Sequence, residues 1–243
     1  PHDDSYTGEN AALKRARIGR AIAAKGADVA VLTSPSSLAW LFNIRGGDVI
    51  RTPLPLGQAV VKADGTAKVF LDPAKVTNEL PGWLGDAVTL EAPEALPAAL
   101  DALSGQKVLI DPAVSSAWYF DRLEAAGAAI VRGMDPCALP RAQKNAVEIE
   151  GSRQAHIRDG AALTRFLHWV DMVAQKTLPD ERAVVEALEG FREATGMLKD
   201  LSFDTIAGVG PNGALPHYKP VGAKIRPMEK GSLLLVDGGG QYL

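Results

Sequence analysis

Two residues near the C-terminal end of this chain, His217 and Asp237, have the types and settings that hydrolytic chemistry uses. Asp237 ends the apolar run Leu233–Val236 and is followed by Gly238, Gly239 and Gly240. Such a run reads as a buried β-strand, and glycines after it let the backbone turn sharply or approach a neighbour closely. A carboxylate at that point either caps a turn or faces a ligand. His217 lies between the turn residues Pro211, Asn212, Gly213 and Pro220, beside Tyr218 and Lys219, in the kind of loop that carries function. The reading adopted is that both belong to one metal-dependent active site.

Other candidates have plainer explanations. His156 and Asp159 stand three apart on an expected helix, a spacing that more often gives a surface hydrogen-bonded pair than a metal site. His168, beside Phe166 and Trp169, reads as a helix-packing histidine, and His2 lies in a polar tail. The strand-then-glycine run at Val236–Gln241 is half of a dinucleotide fingerprint, but Gln241-Tyr242-Leu243 continues as strand where a helix would have to open. Cys137 is the single cysteine, which excludes an intrachain disulfide and a cysteine zinc site.

Several elements must position the pair. Residues 1–8 read as an extended linker. A helix over 11–25 and a strand over 28–33 follow, then a short helix with Ser34 as its cap and Pro35 at its first position. The segment 43–55 is a loop, and 59–62 with 68–71 form a hairpin around Asp64-Gly65. Helices or helix starts at 72, 94–103 and 115–126 alternate with strands at 87–90, 107–110 and 128–131. That alternation predicts an α/β domain. The segment 133–144, with two prolines and little periodicity, is the expected boundary, giving domains 1–139 and 140–243. Beyond it, 145–176 reads as helix almost throughout, with Gly151 and Gly160 as break or close-packing points, and a second helix runs from about Leu178 to Thr195. Two helices followed by strands predict an α+β second domain.

Composition bounds the rest. With 243 residues, 47% hydrophobic and 23% charged, the chain is an ordinary globular sequence large enough for two domains. A net charge of −3 offers no nucleic-acid surface, and no apolar run reaches the length of a membrane span. With one cysteine and no signal peptide, a cytoplasmic location is expected. Both ends read as cuts within a longer protein.

Four segments carry a family resemblance: TSPSSLAWLFNIRGGDVIRTPLP (33–55), KNAVEIEGSRQAHIRDGAAL (144–163), SFDTIAGVGPNGALPHYKP (202–220) and LLLVDGGGQYL (233–243). The last three resemble the opening half of the pita-bread metallopeptidase fold shared by methionine aminopeptidase, prolidase, creatinase and Xaa-Pro aminopeptidase. The first resembles the middle domain of long, three-domain Xaa-Pro aminopeptidases. The resemblance implies a creatinase-like mixed sheet with flanking helices, then half of an α+β catalytic domain. It implies that Asp237 is the first metal ligand, matching an Asp at a strand end, and that His217 in Gly213-Ala214-Leu215-Pro216-His217-Tyr218 contacts the substrate. Two divalent ions, manganese first and zinc or cobalt as alternatives, are implied, with a proline-containing peptide as substrate and a homodimer as the assembly. The family's second Asp, its His and its two Glu ligands fall past Leu243, so the chain by itself is expected to be inactive. Two alternatives remain: a metal-free homologue acting as a binding or chaperone module, and a prolidase- or creatinase-like hydrolase.

Overall fold

Strands of four or five residues, each holding at least two apolar side chains, make up the sheet of the first half of the chain. The computed structural model describes residues 1–243 except the side chain of Ala223. It divides into two units, Pro1–Glu148 and Ile149–Leu243.

The first unit begins with α1 (Asp4–Thr7) and α2 (Ala11–Ala24), followed by β1 (Val29–Leu32) and α3 (Pro35–Phe42). The hairpin β2 (Gln58–Lys62) and β3 (Ala67–Phe70) leads to α4 (Leu80–Leu84), β4 (Val88–Glu91), α5 (Leu96–Asp101), β5 (Lys107–Ile110), α6 (Ala117–Ala125), β6 (Ala129–Arg132) and α7 (Ala138–Ala142). The six strands lie in the order β4-β3-β2-β1-β5-β6. The β1–β2 and β2–β3 pairs are antiparallel, and β3–β4, β1–β5 and β5–β6 are parallel, so the sheet is mixed. Central strand β1 is buried along its whole length because successive residues feed opposite cores. Ala30 and Leu32 join Ile18, Ile22, Leu38 and Phe42 on one face. Val29 and Val31 join Leu100, Phe120 and Leu123 on the other.

Three local expectations change here. The N-terminal residues are not a linker: Asp3 caps α1, the His2 N–H donates to the Asn43 carbonyl at 2.7 Å, and the His2 ring stacks on Tyr6. Burial, with Arg45, Lys14 and the N-terminus adding positive charge, lowers the His2 imidazole from 6.5 to about 4. Ser34 precedes Pro35 as expected but makes no side-chain cap bond; its hydroxyl pairs with that of Ser36 instead. The segment 133–144 holds α7 and the fully buried Cys137, so it packs as part of the first unit.

The second unit is built on α8 (Ala146–Trp169), a π-helical turn at Val170–Ala174, α9 (Gln175–Thr177) and α10 (Glu181–Glu193). Asn145 opens α8 with a reciprocal cap: its side chain accepts from the Glu148 N–H at 3.0 Å, and the Glu148 carboxylate accepts from the Asn145 N–H at 2.9 Å. Gly151 and Gly160 do not break this helix, and a Cβ on either would meet nothing within 4 Å. Four short strands follow, β7 (Asp200–Leu201), β8 (Ile206–Val209), β9 (Leu234–Asp237) and β10 (Gly240–Gln241), pairing antiparallel as β8–β9 and β7–β10. The core gathers Phe166, Val184, Leu188, Ala207 and Val209, with Leu234 and Val236 packed against it. No helix of the described residues is long and apolar enough to cross a membrane.

Candidate functional site

Asp237 closes β9, where its Cα is paired in register with Ile206 of β8. The strand is not buried on both faces as an apolar run suggests. Leu234 and Val236 face the core, while Leu235 and Asp237 are exposed and Leu233 just before the strand is 85% exposed. Only one face of β9 meets the core of the unit, so its side chains alternate between packed and exposed. The Asp237 carboxylate is therefore at the surface, and no hydrogen bond or ion pair engages it among the described residues.

The glycines after Asp237 are held from several sides. The Gly238 carbonyl accepts from Arg192 at 3.0 Å, the Gly239 carbonyl accepts from the Ser202 N–H at 2.9 Å, and Gly240-Gln241 form β10. A Cβ at Gly238 would stand 3.0 Å from an Arg192 nitrogen and 3.1 Å from the Thr205 methyl, so a side chain there would press on both. Arg192 is fully buried and forms a two-pronged ion pair with Asp159, at 2.8 and 3.1 Å. Tyr242 donates to the same carboxylate at 2.8 Å. Burial alone would raise the Asp159 carboxyl, but the bonds from Arg192 and Tyr242 outweigh it and leave it below the ordinary value. His156 does not pair with Asp159; its ring contacts the Ser152 carbonyl. His168 is exposed on α8 rather than packed.

His217 sits at the end of a 3₁₀ turn, Gly210–Ala214, and the three residues after it, on a backbone with φ +54. That left-handed conformation is uncommon for a residue with a side chain, and such strain concentrates at functional sites. The ring is exposed, and no hydrogen bond engages it among the described residues. Its loop is pressed onto β8: a Cβ on Gly208 would stand 2.7 Å from the Gly213 nitrogen, and one on Gly213 would stand 3.3 Å from the Leu235 Cβ. Both ends of the loop are tied to one buried carboxylate, Glu181. It accepts from the Val209 N–H at 2.7 Å, the Asn212 amide at 3.0 Å, the Tyr218 hydroxyl at 2.6 Å and the Arg226 N–H at 3.0 Å. Burial pushes the Glu181 carboxyl upward, and these four donors more than reverse it, leaving it below 4.5. Burial and the same contact push the Tyr218 phenol up from 10.0 to about 12. Lys219 adds an ion pair to Asp204 on the outside of the loop.

Glu181 and Arg192 were not among the residues that sequence reasoning singled out. Their signal was present: the buried positions of α10 are Glu181, Val184, Leu188 and Arg192, an apolar helical stripe with a charge at each end. The two candidates that were singled out lie in the same unit and flank the same β8–β9 hairpin, but neither bonds to the other. Among the described residues, no group of three or more His, Cys, Asp and Glu side chains is placed to hold a metal ion.

Residues 1–148 match the creatinase/prolidase N-terminal domain, and 150–243 match metallopeptidase family M24. The chain belongs to the creatinase/prolidase N-terminal domain family and continues into an M24 segment. It is 36% identical to a probable Xaa-Pro aminopeptidase P of Laccaria bicolor over 99% of its length and 38% of that protein's. It is 33% identical to Xaa-Pro aminopeptidase 1 of Dictyostelium discoideum over 99% of its length and 39% of that protein's. Among solved structures, an X-prolyl aminopeptidase of Caenorhabditis elegans, described as a cytosolic enzyme with a di-nuclear active site, superposes with a TM-score of 0.89 at 26% identity. That match covers 99% of this chain and 40% of the other. An Xaa-Pro dipeptidase from Bacillus anthracis shares the fold at a TM-score of 0.69 and 21% identity, over 96% of this chain and 62% of that one. The chain thus spans about two-fifths of the length of the curated relatives it matches.

Proposed function

We propose that this chain is the middle domain and the first part of the catalytic domain of a metal-dependent aminopeptidase that releases the N-terminal residue from peptides with proline second. The observation that carries the reading is the Asp237 carboxylate. It ends a strand, its backbone is held in place, and its oxygens have no partner among the described residues. A carboxylate held by its backbone and left free at its oxygens fits a metal ligand better than a turn cap, which would be engaged with nearby N–H groups. When bound, a pair of divalent ions, manganese first and zinc or cobalt as alternatives, supplies the Lewis acidity for peptide hydrolysis. Asp237 contributes negative charge and one ligand to that pair. His217, exposed on its strained turn, donates an imidazole N–H to the peptide oxygen as charge develops there, or steadies the substrate backbone. A single carboxylate holds a dication weakly in water, so the chain alone is inactive. The protein is cytosolic and homodimeric in this reading, as the C. elegans relative is cytosolic.

The test uses the full-length protein containing this segment, a fluorogenic Xaa-Pro peptide and added manganese. Metal-dependent release of the first residue is expected, and Asp237→Ala abolishes it. Equal activity in wild type and Asp237→Ala would remove the assigned ligand. Peptide binding without hydrolysis would replace the enzyme by a binding module.

A further inference from the structure

The two functional residues are fastened, through the backbone beside each, to opposite ends of one helix. Along the buried face of α10, Glu181 and Arg192 stand about three turns apart, a separation that returns them to the same side of the helix. Both are buried, and burying a charge is costly unless hydrogen bonds match it. The matching groups belong to the site. Glu181 gathers Val209, Asn212, Tyr218 and Arg226, which bracket His217 on both sides in the chain. Arg192 holds the carbonyl of Gly238, the residue after Asp237, and is itself anchored by Asp159, to which Tyr242 also donates. Each charge has the sign its end of the helix dipole favours.

We infer that Glu181 and Arg192 are positioning residues, and that α10 through them sets where His217 and Asp237 stand with respect to each other. The inference rests on the proposed peptidase reading for what the site does. Both side chains are buried behind the backbone they hold. Glu181 acts through Tyr218 and the turn at 209–212, and Arg192 acts through the Gly238 carbonyl. Stability alone does not call for such charges, because a well-packed apolar pair serves it as well or better. Each charge grips the neighbour of a functional side chain and leaves that side chain's own polar atoms free.

Crossed variants in the full-length protein test this, with thermal midpoints recorded alongside. Tyr218→Phe removes one Glu181 donor. It is expected to lower kcat on an Xaa-Pro peptide between about tenfold and a hundredfold, the cost of a small misplacement, with manganese affinity by calorimetry unchanged. Arg192→Lys loses the fork that spans Asp159 and Gly238. It is expected to weaken manganese binding between about tenfold and a hundredfold, as loss of support behind a ligand does. Both variants shifting only the midpoint, or both readouts moving in parallel, would overturn the inference. A second readout needs no activity. In the 243-residue chain, Tyr218→Phe should shift or broaden the His217 imidazole NMR signals, and Arg192→Lys should leave them in place. Identical His217 signals in wild type and Tyr218→Phe would overturn it. If the wild-type full-length protein cleaves no Xaa-Pro peptide, the proposed function fails, and the His217 signals still decide the positioning role.

Discussion

At the scale of single residues, the second unit depends on carboxylates whose hydrogen-bond donors outweigh the upward push of burial. Glu181 and Asp159 keep their charge because hydrogen-bond donors surround them. Both titrate below their ordinary values, 4.5 and 3.8, in the folded chain. A depressed carboxylate binds its proton more tightly in the unfolded state. Its stabilisation is therefore complete above the ordinary value and is lost as pH falls through the lower folded one. Stability of the second unit should be level down to about pH 5 and then fall steeply toward more acid conditions. Tyr218 and Tyr242 give the opposite limb: both are raised to about 12, so their contribution is present below 10 and disappears between 10 and 12. Urea denaturation followed by near-UV circular dichroism across the pH range checks both limbs. Glu181→Gln should flatten the acid limb and Tyr218→Phe the alkaline one. An acid slope unchanged by Glu181→Gln would show that Glu181 is not the titrating group.

At the scale of elements, the β8–β9 hairpin and the loop over it depend on contacts that only glycine permits. Gly208 lets the 3₁₀ turn before His217 lie directly on β8, with Gly213 nitrogen 2.7 Å from where a Cβ would be. Gly208→Ala must push that turn outward, because the obstacle is backbone and not the flexible end of a side chain. The expected cost is about 1–3 kcal/mol of stability, with the His217 loop losing amide-exchange protection. A change below about 0.5 kcal/mol would mean that the turn moves aside freely. The alternating strands and helices of the first unit, the Asp64-Gly65 hairpin and the long helix after Asn145 were all legible in the sequence, since each follows from local periodicity and turn chemistry. So was Asp237 at a strand end. The mixed character of the sheet came with the family resemblance, but the strand order did not follow from the residues, because pairing β1 with β2 and β5 is a long-range choice. The run Leu233–Val236 reads as more buried than it is, since an apolar strand looks the same whether one face or both are covered. Glu181 and Arg192 continue the apolar stripe of α10, but a charged residue in a helix is normally solvated, so the stripe alone does not mark them as buried.

At the scale of the whole chain, the second unit leaves apolar surface uncovered next to its candidate ligand. Among the described residues, β8 and β9 pair only with each other, so each offers a free edge. Leu233 is 85% exposed and Leu235 is 44% exposed, on the side of β9 from which Asp237 also emerges. Unpaired backbone donors and acceptors beside exposed leucines favour pairing with another strand, and nothing charged on β9 other than Asp237 opposes it. The 243-residue chain on its own should therefore self-associate as its concentration rises, through this hairpin and not through the fully paired interior of the first sheet. Light scattering coupled to size exclusion should show masses above that of one chain. Leu233→Lys with Leu235→Lys should return it to a monomer while the first unit's circular dichroism stays the same. The same pair of substitutions should leave Glu181, Arg192 and their partners untouched, since neither leucine contributes to that network. A wild-type chain that remains monomeric at every concentration would mean that the exposed leucines and free edges are too small or too twisted to recruit a neighbour.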